Sequence, residues 1–335
     1  MGLSGKWIHG IDCDSSVEDA ARRSLEPRLA AVARCMPPAA HLAHHDIEHV
    51  HRLRVATRRA VAALQLYHGF VSRKPARWLK KRLRKIRRAA GDARDLDVLK
   101  MRIEEEHGER FAPVLALITQ ERQSVQPAIV QIAARCGKNH KFIRKTAKLL
   151  DRIGADKSHD DIAPSLAFRD WAADQLANAV QPLLGSTPPR SADAAMLHAF
   201  RIQAKALRYT IELLAPVFGP ELRSEVYPVV EELQERLGRI QDHVTAQQSF
   251  EKWIESGRYV SQEQMLKELV EDESHRMDAS VQEFHHWWTD ERIDQLRRAL
   301  HTLSTPTAPG PDCRVESEAT GLSPPTDHPQ VDCRS

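Results

Sequence analysis

Two stretches of the sequence set histidine and basic residues at helical spacing. His51, Arg54 and Arg58 stand at i, i+3 and i+7, and His198, Arg201, Lys205 and Arg208 follow the same rhythm later in the chain. At about 100° per residue, such positions return to one helix face within about 60° of each other. Gln65 extends the first stripe. Val50, Leu53 and Leu64, like Leu197, Phe200 and Ile211, fall on a neighbouring face and are expected in the core. The chemistry open to these stripes is recognition of an anion. A guanidinium fork matches two phosphate oxygens at once, and lysine adds a point charge. Neutralising adjacent charges of a polyanion releases counterions, so binding would be strong and salt-dependent. A histidine among cations resists protonation until an anion arrives, which couples binding to pH.

The stripes belong to a larger internal repeat. V-H-R-L-R-V-A-T-R-R from Val50 is followed by G-D-A-R-D-L-D-V from Gly91, and L-H-A-F-R-I-Q-A-K-A-L-R-Y from Leu197 by G-R-I-Q-D-H-V-T from Gly238. His51 with His198, Arg54 with Arg201, Gly91 with Gly238 and Asp95 with Asp242 are all 147 residues apart, and each His precedes its Gly by 40. One H-x-x-R match could arise by chance; a second block at the same distance argues for duplication. A solvated face with snorkelling arginines is the ordinary fate of a charge run. The duplicated spacing counts against it here.

Other constellations carry less. The sequence has no G-x-x-x-x-G-K-[ST], H-E-x-x-H or G-x-S-x-G. Asp95 and Asp242 are expected to cap a helix or pair with arginine. His41, His44, His45, His49 and His51 crowd together, but a helix starting at Asp46 would separate His45 from His49, so no metal site is expected. His285, His286, Trp287 and Trp288 read as packing or a partner contact. No catalytic residue and no cofactor is expected.

The elements that must position the stripes are helical. Of 335 residues, 41% are hydrophobic and only 5% aromatic, and glycine is scarce, which favours helix over sheet. Net charge is only +3, yet Val50–Lys100 holds sixteen Lys and Arg against three Asp. That excess calls for an anionic partner. Residues 1–15 read as a loose arm. Ser16 with Asp19 opens a helix that Pro37 and Pro38 should end near Cys35; Asp46 caps the next, to about Gly69. Pro75 starts a third, with Leu79, Leu83, Ile86 and Ala90 on one face, which Gly91 should stop. Further helices are expected at about 96–107, 115–134, 141–153, 165–184, 193–215, 220–237, 242–256 and 260–302, with a polar joint at 154–164. Pro-rich 304–335 should be disordered. The five cysteines form no C-x-x-C pair, and no stretch approaches the apolar length of a membrane span. A cytoplasmic protein is the default expectation, with no membrane partner.

H-x-x-R-V-x-x-R-R followed by G-x-x-R-D-x-D-V, with a degenerate second copy, resembles the CHAD family, the conserved histidine α-helical domains. The likeness covers about 16–303, with repeats at about 16–153 and 165–303. It implies an all-α fold of two pseudo-symmetric helical bundles around a central basic channel. It also implies a non-catalytic protein that binds inorganic polyphosphate, in the cytoplasm or on polyphosphate granules. The chain lacks the E-x-E-x-K pattern of the triphosphate tunnel enzymes often fused to CHAD domains, and so reads as the domain standing alone. The expected binding set is His51, Arg54, Arg58, Arg59, Lys81, Arg84, Arg88 and Arg94 in the first copy, and His198, Arg201, Lys205 and Arg208 in the second. The copies differ. Arg84, seven before Gly91, is matched by Glu231; Arg208 by Val61; Arg59 by Ala206. An asymmetric channel is therefore expected, with the N-terminal half supplying most of the field. The alternative is an RNA- or DNA-binding protein that uses the polybasic helix Lys80–Arg88, although stacking aromatics are missing near the stripe. A polyphosphate-hydrolysing enzyme is disfavoured, because no carboxylate cluster for Mg²⁺ stands beside the stripe.

Overall fold

The computed structural model describes residues 6–12, 14–154 and 168–304. Within them the chain is all-α, with ten α-helices: α1 (Val17–His41), α2 (Glu48–Leu66), α3 (Arg73–His107), α4 (Ala112–Gly137), α5 (Lys141–Leu150), α6 (Phe168–Gly185), α7 (Ala194–Leu214), α8 (Tyr227–Glu255), α9 (Glu263–Trp287) and α10 (Asp290–Ser304). The neighbours repeat. α1 packs on α2, α2 on α3 and α3 on α4, as α6 packs on α7, α7 on α8 and α8 on α9; α5 returns to α1 as α10 returns to α6. Across the middle, α1 meets α6, α2 meets α7 and α3 meets α8.

Local chemistry explains most helix starts. Ser16 Oγ accepts from Asp19 N at 3.1 Å and opens α1, and Asp193 Oδ1 accepts from Met196 N at 2.8 Å and opens α7. Asp46 caps less directly: α2 starts at Glu48, whose N donates to Asp46 Oδ1 at 2.8 Å. Pro37 and Pro38 do not end α1, which continues to His41. There Ala39 and Ala40 are buried, and Gln126 Nε2 donates to both their carbonyls at 3.0 and 2.9 Å, so packing outweighs the missing N–H groups. The helix expected over 260–302 breaks at Trp288, which leaves helical geometry as its ring turns into the core.

The larger departure concerns the glycines. Gly91 and Gly238 stop nothing: α3 and α8 run straight through them. Gly91 is buried, and a Cβ there would stand 2.7 Å from Arg54 Nη1. Its missing side chain admits the arginine rather than ending the helix.

Continuous α3 and α8 carry apolar residues past the main core. Leu99, Ile103, Phe111, Val114, Leu117 and Ile118 pack there with Ala246, Phe250, Trp253, Leu266 and Leu269 in a second buried cluster. Leu99 with Ala246, and Ile103 with Phe250, again lie 147 residues apart. This cluster ties the two halves together below the stripes. Residues 6–12 are no loose arm: Ile8 and Ile11 are buried, and the Trp7 ring stands edge-on to Tyr227 at 4.8 Å. Of the expected Pro-rich tail only Ser304 is described, as the last residue of α10, and nearly all of the polar joint lies outside the described residues.

Candidate functional site

A cleft of about 900 Å³ opens where α2, α3, α7 and α8 meet. α2 contributes His51, Arg54 and Arg58; α3 contributes Arg88, Arg94, Asp95 and Arg102; α7 contributes Arg201; α8 contributes Arg239 and Asp242. Two of its arginines lie near matched carboxylates. Arg54 Nη1 stands 3.3 Å from Asp95 Oδ1, and Asp242 is the principal attractive neighbour of Arg201. Both carboxyls titrate above the usual range, chiefly because protein surrounds them, with Arg54 and Arg201 respectively opposing the shift. Both residues are nonetheless exposed, the Asp95 side chain to 44%. Solvent therefore screens these pairs, and they are weak partners for their arginines.

Beside them lies a crowd of cations, to which Arg201 also belongs. Lys205 is pushed down to about 6, first by burial and then by Arg58, Arg201, Arg54 and Arg87, so the foremost charges acting on it are all positive. Burial likewise lowers Arg201, with Arg58 and Arg54 adding to the effect against Asp242. The buried Nε atoms of Arg58 and Arg201 have no acceptor within the protein. Among the described residues, Arg58, Arg201 and Lys205 form no ion pair. His51 is also lowered, by burial and then by Arg94. Every one of these groups would regain its charge or find an acceptor if anionic oxygens entered the cleft.

The predicted residues divide by place. His51, Arg54, Arg58, Arg88, Arg94 and Arg201 line the cleft, and Lys205 adjoins it through Arg58 and Arg201. Lys81 and Arg84 are exposed on the part of α3 that leads to Arg88. His198 does not face a shared space with His51: it is exposed, and its Nδ1 meets Gln241 Oε1 on α8. Gln241 occupies the place that Arg94 holds beside His51, 147 residues earlier.

Arg59 and Arg208 belong elsewhere. Both serve Glu212, which is 1% exposed: Arg59 Nε at 3.0 Å and Arg208 Nε at 3.6 Å. Arg208 also reaches Glu231 at 3.0 Å and donates to Tyr227 Oη at 3.1 Å. These arginines compensate buried acids, and the expectation that they bind ligand is corrected on that ground. Arg87, Arg102 and Arg239 were not singled out from sequence. Read as one helix, α3 would have shown Arg88, Asp95 and Arg102 at i, i+7 and i+14; the assumed break at Gly91 hid that register. Arg102 is held by Glu273, which His243 also contacts, at 2.6 Å from Nδ1. Glu106, His107 and Asp272 come close enough for a metal, but Arg276 already bonds Glu106 at 2.7 Å and Asp272 at 2.8 Å.

The CHAD-domain family model matches residues 23–251. The chain belongs to the CHAD family. This CHAD protein shares its fold with the crystal structure of the CHAD domain from the plant Ricinus communis, at TM-score 0.71 and 20% identity, over 90% of this chain and 97% of that one. PptA from Streptomyces chartreusis is similar at TM-score 0.54 and 18% identity, over 84% of this chain and 100% of that one. No curated protein matches this chain in sequence. Among its described residues, no helix is long and apolar enough to cross a membrane.

Proposed function

We propose that the cleft binds inorganic polyphosphate, without turning it over, as a granule-associated scaffold or regulator. One observation carries the reading: Arg58, Arg201 and Lys205 are gathered from two helices, partly buried, and form no ion pair among the described residues, with Asp242 the one foremost acid near Arg201. Folding does not profit from such a cluster, because mutual repulsion and lost hydration both oppose it. A phosphate polymer relieves both, with oxygens for the two unmet Nε atoms and a charge at every repeat. Family membership supports the same ligand class.

Nucleic acid fits this cleft less well. Trp253 is the one aromatic residue lining it and is only 8% exposed, so bases would find no platform beside the cations. Binding rather than hydrolysis is favoured because Asp95 is paired with Arg54, and Arg201 is the foremost charge acting on Asp242, so arginines already engage both carboxylates.

The test is calorimetric titration with long-chain polyphosphate, in competition with RNA and tripolyphosphate, while released phosphate is assayed. The reading expects tight, salt-sensitive binding of polyphosphate, weak competition by RNA and no released phosphate. Preferential binding of RNA or steady phosphate release would overturn it.

A further inference from the structure

α3 has a second basic side, next to the one that lines the cleft. Arg88, which lines the cleft, lies about 80° around the helix from Trp78, and Arg87, which acts on Lys205, about 180°, whereas Lys74, Arg82 and Lys85 lie within about 40° of it. That second side is where α5 packs, with the Trp78 and Phe142 rings 6.4 Å apart. α5 adds Lys141, Arg144, Lys145 and Lys148. From Arg73 to Arg88 the chain has ten Lys and Arg and no acid; from Lys138 to Leu150 it has five and no acid. Most are exposed, and among the described residues none of the fifteen forms an ion pair.

We propose that this α3/α5 face is a separate interaction surface, which takes the sugar-phosphate backbone of a double-stranded nucleic acid. The proposal does not rest on polyphosphate binding in the cleft. A single basic run is usually just solvated, but here residues 73–88 of α3 and the whole of α5, packed on it, both lack acids. Residues 73–88 of α3 extend about 24 Å and α5 about 15 Å, with axes typically 8–10 Å apart. The result is an open patch more than one helix wide. A stiff duplex carrying one charge per about 1.7 Å of its axis matches such a patch.

Two other partners fit less well. A single strand would seek exposed rings, yet Trp78 is covered by Phe142, with Arg82 and Lys141 over its ring at 5.3 and 5.9 Å. An anionic bilayer would seek apolar side chains to insert. Ile143, at 56% exposure, is the one large exposed apolar residue that α5 offers, while Phe142, Leu149 and Leu150 are turned into the core.

The experiment crosses two variants of the full chain with two ligands. One variant neutralises the outer face (Lys85→Gln, Arg144→Gln, Lys148→Gln); the other neutralises the cleft (Arg58→Gln, Arg201→Gln). Each is titrated with short DNA and RNA duplexes of mixed sequence and with long-chain polyphosphate, at several salt concentrations, and circular dichroism checks folding. The outer variant should lose on the order of tenfold or more in duplex affinity, and its log–log salt slope should shrink by about 0.9 for each phosphate contact removed. The cleft variant should keep duplex binding. Three results overturn the proposal: no duplex binding by the wild type, duplex binding lost in the cleft variant alone, or an outer face that binds anionic-lipid vesicles but not duplexes. A wild type that binds duplexes but not polyphosphate would sink the reading of the cleft and leave this one standing.

Discussion

Neutralising Arg58 and Arg201 together separates ligand binding from folding. Their Nε atoms are buried without acceptors, and both side chains raise the positive potential at Lys205. Arg58→Gln with Arg201→Gln removes two charge-assisted contacts to a bound phosphate chain, each worth about 1.5–3 kcal/mol. Together that is about 3–6 kcal/mol, a loss on the order of 100-fold to 10,000-fold in Kd. The log–log salt slope should flatten by about 1.8, from two lost phosphate contacts. Stability should move little or rise, because a repulsive cluster is being relaxed. The assay is calorimetric titration with long-chain polyphosphate beside thermal denaturation. Unchanged affinity in a folded variant would refute the site; early melting would show that the cations serve the fold instead.

The remaining predictions concern the surroundings of that cluster. Lys205 titrates near 6 in the free protein, so above that pH it lacks a proton that a bound polyanion would restore. Binding should therefore take up protons, and affinity should fall as pH rises from 6 to 8; calorimetry in buffers of different ionisation enthalpy reads the uptake, and Lys205→Arg should reduce it. Gly91→Ala places a Cβ against Arg54 Nη1. Polyphosphate affinity should drop while the melting temperature holds or rises, since alanine favours a helix interior by up to about 1 kcal/mol; early melting would contradict this. Glu212→Ala leaves Arg59 and Arg208 without their shared buried partner and should destabilise the fold by about 3 kcal/mol, measurable by urea denaturation.

Much of the fold can be read from residue periodicity. Leu79, Leu83, Ile86 and Ala90 mark the buried face of α3, and Ser16 marks the start of α1, because these are local signals. The glycines mislead for a physical reason. A helix interior tolerates glycine at a cost of about 1 kcal/mol, which the second core cluster offsets by keeping α3 and α8 whole past Gly91 and Gly238. The site divides in the same way. The duplicated spacing brings out His51, Arg54, Arg58, Arg201 and Lys205. It cannot show that Arg59 is taken up by Glu212, 153 residues away, or that Arg208 turns to Glu231 and Tyr227. Nor does it show that Lys205 is ringed by arginines from two other helices. Pairing across tertiary contacts decides which cations remain for a ligand, and no local pattern encodes it.

The most direct test of the central claim is a crystal structure of the protein soaked in polyphosphate. The account predicts a chain of phosphate density through the cleft, with oxygens about 2.7–3.2 Å from Arg58 Nε and Arg201 Nε and in contact with Lys205. Density confined to the outer α3/α5 face, with these three side chains unmoved and without a phosphate neighbour, would contradict it.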